Sequence, residues 1–423
     1  MKTTSAPRAA RLRRLLGLLL IFLLACSPYE STSKQKAKPS QAPFAAAVQR
    51  TVLNPLAAAW KSGDPSAVTK LLHPEIPESE RLEVLAPVSA RDFGLTSLTL
   101  TTDHEGEASD EMESLDVEGS YVIGGLPNEY LFNGDLTVKK AANKWLIGSL
   151  LWDLSPAWAA AGQFVRTETP AAIIFHSPGF PAAELGGLAS TALASITAVG
   201  TRDKRYLVVA PGDAQGFFAI GGRGGAIAAV LAGYRWTGTF DVTAPVMIVN
   251  AEAYRREDAA RRKTIILHEM THLILARETV PYVPVWFSEG LAMFYSKDIP
   301  LEALENNPLN NSELTLARLT SQFELGAHDI GGQRAPVEYA YSAAAVAFMM
   351  DRFGEKKVLG LLGGYKDIDP DRVDKTFLGS GAGADQLEMR DLGVEVTNEL
   401  FPKHLSVTLD ELDRQVRAWI RGK

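Results

Sequence analysis

The sequence predicts an α+β protein built from more than one unit. Apolar residues at helical spacing near the start give way, from Leu82 to Asp153, to short alternating runs divided by turn residues. Beyond a small-residue connection at Leu154–Gly162, a strand–helix–strand pattern leads into long apolar helices. A length of 423 residues suits two or three domains.

The amino terminus reads as an export signal. Residues 1–25 carry five positive side chains (Lys2, Arg8, Arg11, Arg13, Arg14) and no acid, and Leu15 to Ala25 is an apolar run. Eleven residues are too few for a bilayer, which needs about twenty. The run ends in Leu23-Leu24-Ala25-Cys26, and Cys26 is the one cysteine of the chain. This resembles a bacterial lipobox, which implies lipidation at Cys26 and an exported protein anchored on the extracytoplasmic side. A lone exported cysteine has no disulfide partner within its own chain, which fits an anchor; a free cysteine behind an ordinary signal is the alternative. Residues 26–43, from Ser27 with no aliphatic side chain larger than Ala, read as a flexible polar tether. Without the signal the chain holds 38 basic and 50 acidic residues, which speaks against nucleic-acid binding.

Residues 44–155 form the first predicted domain. Val48, Val52, Leu53, Leu56 and Trp60 recur at helical spacing, and Gly63-Asp64-Pro65 breaks the helix. Strands follow at Leu95–Thr101, Leu115–Ile123, Tyr130–Val138 and Lys144–Leu151, with turn signals at Gly124-Gly125, Asn133-Gly134 and Ala142-Asn143. Trp60-Lys-Ser-Gly-Asp64 with Lys144-Trp145-Leu146-Ile147 resembles the cone-shaped domains of the nuclear-transport-factor-2-like superfamily. That resemblance implies a spacer or a partner-binding module. His73 and His104 read as surface residues.

Residues 163–423 form the second. Ala171–Phe175 and Arg205–Ala210 read as strands around a helix from Pro181 to Val199, and Thr243–Val249 as another strand with Pro245 at its irregular start. Gly221-Gly222-Arg223-Gly224-Gly225 lacks the Lys-Ser/Thr of a phosphate loop and reads as a hairpin or flap. His176 and His328 read as loop residues. Asp258 is placed to cap the next helix.

That helix holds Leu267-His268-Glu269-Met270-Thr271-His272-Leu273. Positions i and i+4 share a helix face, so the two imidazoles address one point, with the Glu269 carboxylate beside them. Burying three polar groups in an apolar run is expensive without partners, and a zinc ion would partner both histidines. The alternative is a core helix with two satisfied histidines. A catalytic zinc needs a third protein ligand. Glu289 offers it, sixteen residues past His272 in Pro284-Val-Trp-Phe-Ser-Glu289-Gly-Leu-Ala292; a first-turn acid favoured by the helix dipole is the other reading.

These two motifs, with Tyr339-Ala-Tyr341 in a helix ending Phe353-Gly354, resemble gluzincin metallopeptidases of the peptidase MA-like family over about residues 163 to 365. The resemblance implies a zincin-like domain with a helical C-terminal part, one Zn2+ per chain on His268, His272 and Glu289, and Glu269 as general base. Zinc then acidifies a water and Glu269 takes its proton as the water attacks a scissile carbonyl of a peptide or protein substrate. Tyr339 or Tyr341 is the candidate to stabilise the oxyanion; two positions apart, they face nearly opposite ways, so at most one serves. Tyr339 better fits the spacing to the aromatic-Gly pair, and a tyrosine with a merely structural hydroxyl partner is the alternative for either. Met293 stands where some gluzincins place an acid that orients a histidine. Residues 366–398 read as an irregular insertion, and Thr408 caps an amphipathic terminal helix. The rival functions are an inactive zinc-binding scaffold engaging a partner through its first domain, and a structural lipoprotein with core histidines.

Overall fold

The computed structural model describes residues 29–30 and 43–422 except 79–80, 82–83, 85, 103–110, 160–162, 198–202, 223–225, 237–239, 243–244, 300, 305–313, 323–333 and 374–385. Cys26, His104, His328 and most of the Gly221–Gly225 cluster lie outside the described residues. The protein is mixed α+β, with helices and sheets alternating along the chain.

In the first unit, α1 (Pro43–Val48) runs through a π turn into α2 (Asn54–Ser62), which ends at Gly63 in the left-handed region (φ 70°). The Asp64 carboxylate then accepts from the Ser66 and Ala67 amides to start α3 (Pro65–Thr69), with Pro65 needing no amide partner at its first position. Four antiparallel strands follow in chain order, β2 (Leu95–Thr102), β3 (Met112–Ile123), β4 (Glu129–Ala141) and β5 (Lys144–Leu154). Ala142 and Asn143, both at positive φ, make the two-residue hairpin that the turn signal at that dipeptide anticipated. Rings pack against this sheet: Tyr121 meets Trp158 edge-on at 4.4 Å and Tyr130 in a stack at 5.2 Å, while Phe132 occupies the space a Cβ at Gly119 would need. Two residues of the stretch read as a tether, Tyr29–Glu30 (β1), pair in parallel with β10 (Gly233–Trp236), itself paired with β11 (Phe240–Val242).

The second unit is a five-stranded sheet in the order β6-β7-β8-β12-β9 (Val165–Glu168, Ala172–His176, Tyr206–Ala210, Val246–Val249, Ala228–Leu231). Strands β7, β8 and β12 are parallel; β6 and β9 run antiparallel at the edges. Helix α4 (Ala182–Ser195) makes the crossover between β7 and β8. The central strands are buried on both faces, as parallel sheets require. Ile174, Val208, Met247 and Val249 face the helices, whereas Ile173, Phe175, Leu207, Val209 and Ile248 share a core with the first unit. There Phe93 stacks on Phe175 at 4.1 Å, and Arg166, paired with Glu168, donates to the Gly124 carbonyl at 2.5 Å.

After two short helices, α5 (Ala214–Ala219) and α6 (Ala251–Arg256), comes α7 (Ala259–Leu275), whose first turn is capped by Asp258 accepting from the Arg261 amide at 2.8 Å. Helix α8 (Val285–Ser296) lies against α7 on one side and against α10 (Arg334–Phe353) on the other; α9 (Leu316–Thr320) lies between them in sequence. A Cβ at Gly290 would stand 2.6 Å from both the Ser342 carbonyl and Val346 Cγ2, so the glycine is what lets α8 and α10 approach. Helices α11 (Glu355–Lys366), α12 (Gln386–Leu405) and α13 (Leu409–Arg421) complete the fold. The irregular insertion expected through residue 398 is therefore corrected: from Gln386 it is helix. Met389, Leu392, Val396 and Leu400 form its buried stripe, and the interrupting Gly393 is required because the Tyr282 carbonyl lies 2.6 Å from where its Cβ would be.

Candidate metal centre

His268 and His272 sit one turn apart on α7 and present their Nε2 atoms to the same point, 3.1 Å from one another. Glu289 reaches that point from α8, with Oε2 3.3 Å from His268 Nε2 and Oε1 3.4 Å from His272 Nε2. All three are buried. Glu289 is the fifth residue of its helix, past the first turn, so attraction to the helix dipole does not explain it. Four tetrahedral ligands at zinc distances of 2.0–2.1 Å stand about 3.3–3.4 Å apart. The three donors span a triangle of that size, in the two-imidazole, one-carboxylate chemistry of catalytic zinc.

Burial and mutual charge shift Glu269, His272 and His268. Burial raises the Glu269 carboxyl to about 8, against the pull of His268 and with the charge of Glu289 adding to it. His272 is driven down to about 4, chiefly by burial. Burial also opposes charge on His268, but the hydrogen bond and charge of Glu289 carry its pKa above the ordinary imidazole value. Glu269 is 1% exposed, and its Oε2 has no hydrogen-bond partner among the described residues. A buried orphan acceptor is costly unless something else uses it.

A cavity of about 120 Å³ opens beside His272 and Glu289. Val230 and Ala232, at the end of edge strand β9, form one wall, and the Val280–Val285 turn and α12 form others. Ser288, on its rim, brings Oγ to 3.4 Å from His272 Nδ1, the hydroxyl partner behind this imidazole that the sequence did not disclose. Thr320, Gln322 and Arg390 also line the cavity; no motif marks them, since they come from segments far apart in the chain.

Tyr339 and Tyr341 are not among the residues lining this cavity. Tyr341 is corrected as a candidate for the oxyanion: its hydroxyl donates to Asp413 Oδ1 at 2.8 Å, tying α10 to α13. Tyr339 is buried on the same helix. His176 is also corrected: it is the last residue of β7, buried, with Nε2 2.9 Å from Thr167 Oγ1 and Nδ1 2.9 Å from the Ser177 carbonyl. The apolar strand beside it, rather than the Ser177-Pro178 turn, determines its place. His73 is half-buried.

No curated protein and no solved structure matches the chain. Residues 224–380, well under half of it, match the family model described as the peptidase MA superfamily. That span contains α7, α8 and α10, and with them His268, Glu269, His272 and Glu289. The chain is thus similar to the peptidase MA superfamily over residues 224–380, and the four residues of the site fall within that span.

Proposed function

We propose that the protein is a zinc metallopeptidase that hydrolyses peptide bonds, exported and held to a membrane by a lipid on Cys26. The observation that carries the catalytic part is the convergence of His268, His272 and Glu289 within 4.8 Å of one another, with Glu269 buried beside them. Zinc held by these three side chains would supply Lewis acidity toward a water and a peptide carbonyl. A dication there also reverses the local pKa logic, favouring ionised Glu269. Glu269 then acts as general base, taking the proton of the attacking water on its unpaired Oε2 and passing it to the leaving amine. Ser288 holds the His272 ring in orientation through Nδ1. Edge strand β9, paired with β12 on its inner side, lies alongside the cavity, where an extended peptide can add as a strand. Tyr339 remains the candidate hydroxyl for the developing oxyanion.

Support for export and anchoring is the basic, apolar leader ending at Cys26; no helix among the described residues is long and apolar enough to cross a membrane. The helical layer and four-stranded meander support the nuclear-transport-factor-2-like reading of the first unit. Its ring-filled interior favours a structural or partner-binding role over ligand enclosure.

Two comparisons test the proposal. Zinc content near one ion per chain in the wild type, lost in His268→Ala, separates a metal centre from core histidines. Cleavage of a peptide library by the wild type, reduced about 10²–10⁴-fold in zinc-loaded Glu269→Gln, separates a peptidase from an inactive scaffold. No zinc-dependent cleavage by the wild type would leave the scaffold.

A further inference from the structure

The stretch that follows Cys26 is fastened to the fold within a few residues. Tyr29–Glu30 (β1) pairs in parallel with β10, Tyr29 opposite Gly233 and Glu30 opposite Tyr234. It is the outer strand of a three-stranded sheet, and β11 on the far side contacts the turn Ala276–Glu278 that ends the metal-bearing helix α7. The partner of β1 therefore belongs to the second unit, whereas the chain next leads to α1 of the first. Gly233 follows Ala232, which lines the cavity beside His272 and Glu289. Paired strands lie about 4.8 Å apart and successive Cα atoms about 3.8 Å, so the Cα of Tyr29 is within about 9 Å of that of Ala232. Cys26 precedes Tyr29 by three residues, a reach of at most about 11 Å. The chain thus allows Cys26 no more than about 20 Å from the cavity wall.

We propose that the lipid on Cys26 is tied to the catalytic half rather than hung from the first unit, so that the cavity is held beside the bilayer and takes as substrate an extended segment of a polypeptide attached to the same membrane. The inference rests on the peptidase and anchoring readings and adds the substrate class to them. A tether free over the whole of residues 26–43 would leave the first unit nearest the lipid. A coil of that length spans about 23 Å on average and up to about 60 Å when extended, so the cleft would have no fixed height. Pairing of β1 with β10 removes that freedom. A segment on the same membrane is then confined to the layer in which the cleft sits, which raises its effective concentration over that of a peptide in solution. A folded soluble protein would meet the bilayer on one side of the cleft.

The test compares two insertions of the same Gly/Ser linker, of about twelve residues, in the full lipidated chain: one between Pro28 and Tyr29, the other between Glu30 and Ser31. Protein reconstituted in phosphatidylcholine–phosphatidylglycerol vesicles is given a library peptide in two forms, free and coupled by one end to a phospholipid headgroup. In parallel, a dye on Asp391→Cys, an exposed position next to cavity-lining Arg390, reports energy transfer to a headgroup acceptor without any turnover. For the wild type, kcat/KM should be at least about tenfold higher with the coupled peptide. The insertion before Tyr29 lengthens the link about fivefold, so it should lower cleavage of the coupled peptide about three- to tenfold and lower the transfer, with cleavage of the free peptide unchanged. The insertion after Glu30 should change none of these. Equal effects of the two insertions, or no effect of either, would overturn the proposal, as would equal cleavage of the two peptides by the wild type or a wild-type chain that carries no lipid. Transfer that falls with the first insertion alone, with neither peptide cleaved, would sink the peptidase reading and keep the cavity beside the membrane.

Discussion

Gly290→Ala tests whether the packing of α8 on α10 is what positions Glu289. The added methyl would stand 2.6 Å from the Ser342 carbonyl and from Val346 Cγ2, where ordinary contact begins at 3.4 Å. Valine can rotate, but the carbonyl belongs to a helix backbone and cannot. Helix α8 must therefore shift by up to about 0.8 Å, whereas metal–ligand distances tolerate about 0.2 Å. Two effects on stability oppose each other: overpacking costs about 1–3 kcal/mol, and alanine gains about 1 kcal/mol over glycine inside a helix. Net destabilisation should stay below about 2 kcal/mol, so the variant should fold. Zinc affinity should fall about 10–100-fold, the range seen when the support of a ligand is disturbed. Competition with a chromophoric chelator measures the affinity, and denaturant unfolding of the zinc-free protein measures the stability. Unchanged zinc affinity in a variant that is measurably destabilised would refute the reasoning, because Glu289 would then be positioned by something other than this contact.

Three further outcomes follow from the same contacts. Tyr341→Phe removes a hydroxyl from the charged Asp413, which keeps the Leu316 amide and Arg417, so unfolding should show a loss of about 1.5–3 kcal/mol with kcat within about twofold of wild type; a large fall in kcat at unchanged stability would return Tyr341 to the reaction. Tyr339→Phe should instead lower kcat with little change in melting temperature, and a variant of normal kcat would remove it from the mechanism. Phe175→Ala deletes a ring stacked on Phe93 within the core shared by the two units, at a cost of about 3–5 kcal/mol; intrinsic fluorescence of the tryptophans of the first unit and zinc release from the second should be lost in one transition, and two separate transitions would contradict a shared core.

Local signals in the sequence account for much of what the structure shows. The i, i+4 spacing of His268 and His272 puts two nitrogens on one face of any helix, and the cost of burying Glu289 between Trp286, Phe287 and Leu291 pointed to a partner. The four strands of the first sheet were legible because alternation and turn dipeptides such as Ala142-Asn143 act over a few residues, and β7, β8 and β12 as short apolar runs, whereas the edge strands β6 and β9 were not read. What was not legible depends on approaches between distant segments. Helix α12 was hidden by Gly393, whose purpose appears only when the Tyr282 carbonyl is in place. Tyr341 could be judged only once Asp413, seventy-two positions later, was packed against it. His176 looked like loop because the proline after it outweighed the strand before it.

The five-stranded sheet has one consequence for how this protein can change over time. Alternate positions on its central strands belong to the two units' interiors in turn, so a substitution at Ile173, Phe175 or Leu207 must be answered by residues such as Phe93 rather than by the helices that carry His268, His272 and Glu289. A chain lacking the first unit would have to carry polar residues on that side of the sheet or recruit a different cover. The first unit and the sheet beneath the metal centre are therefore constrained together, because each covers apolar surface the other cannot expose.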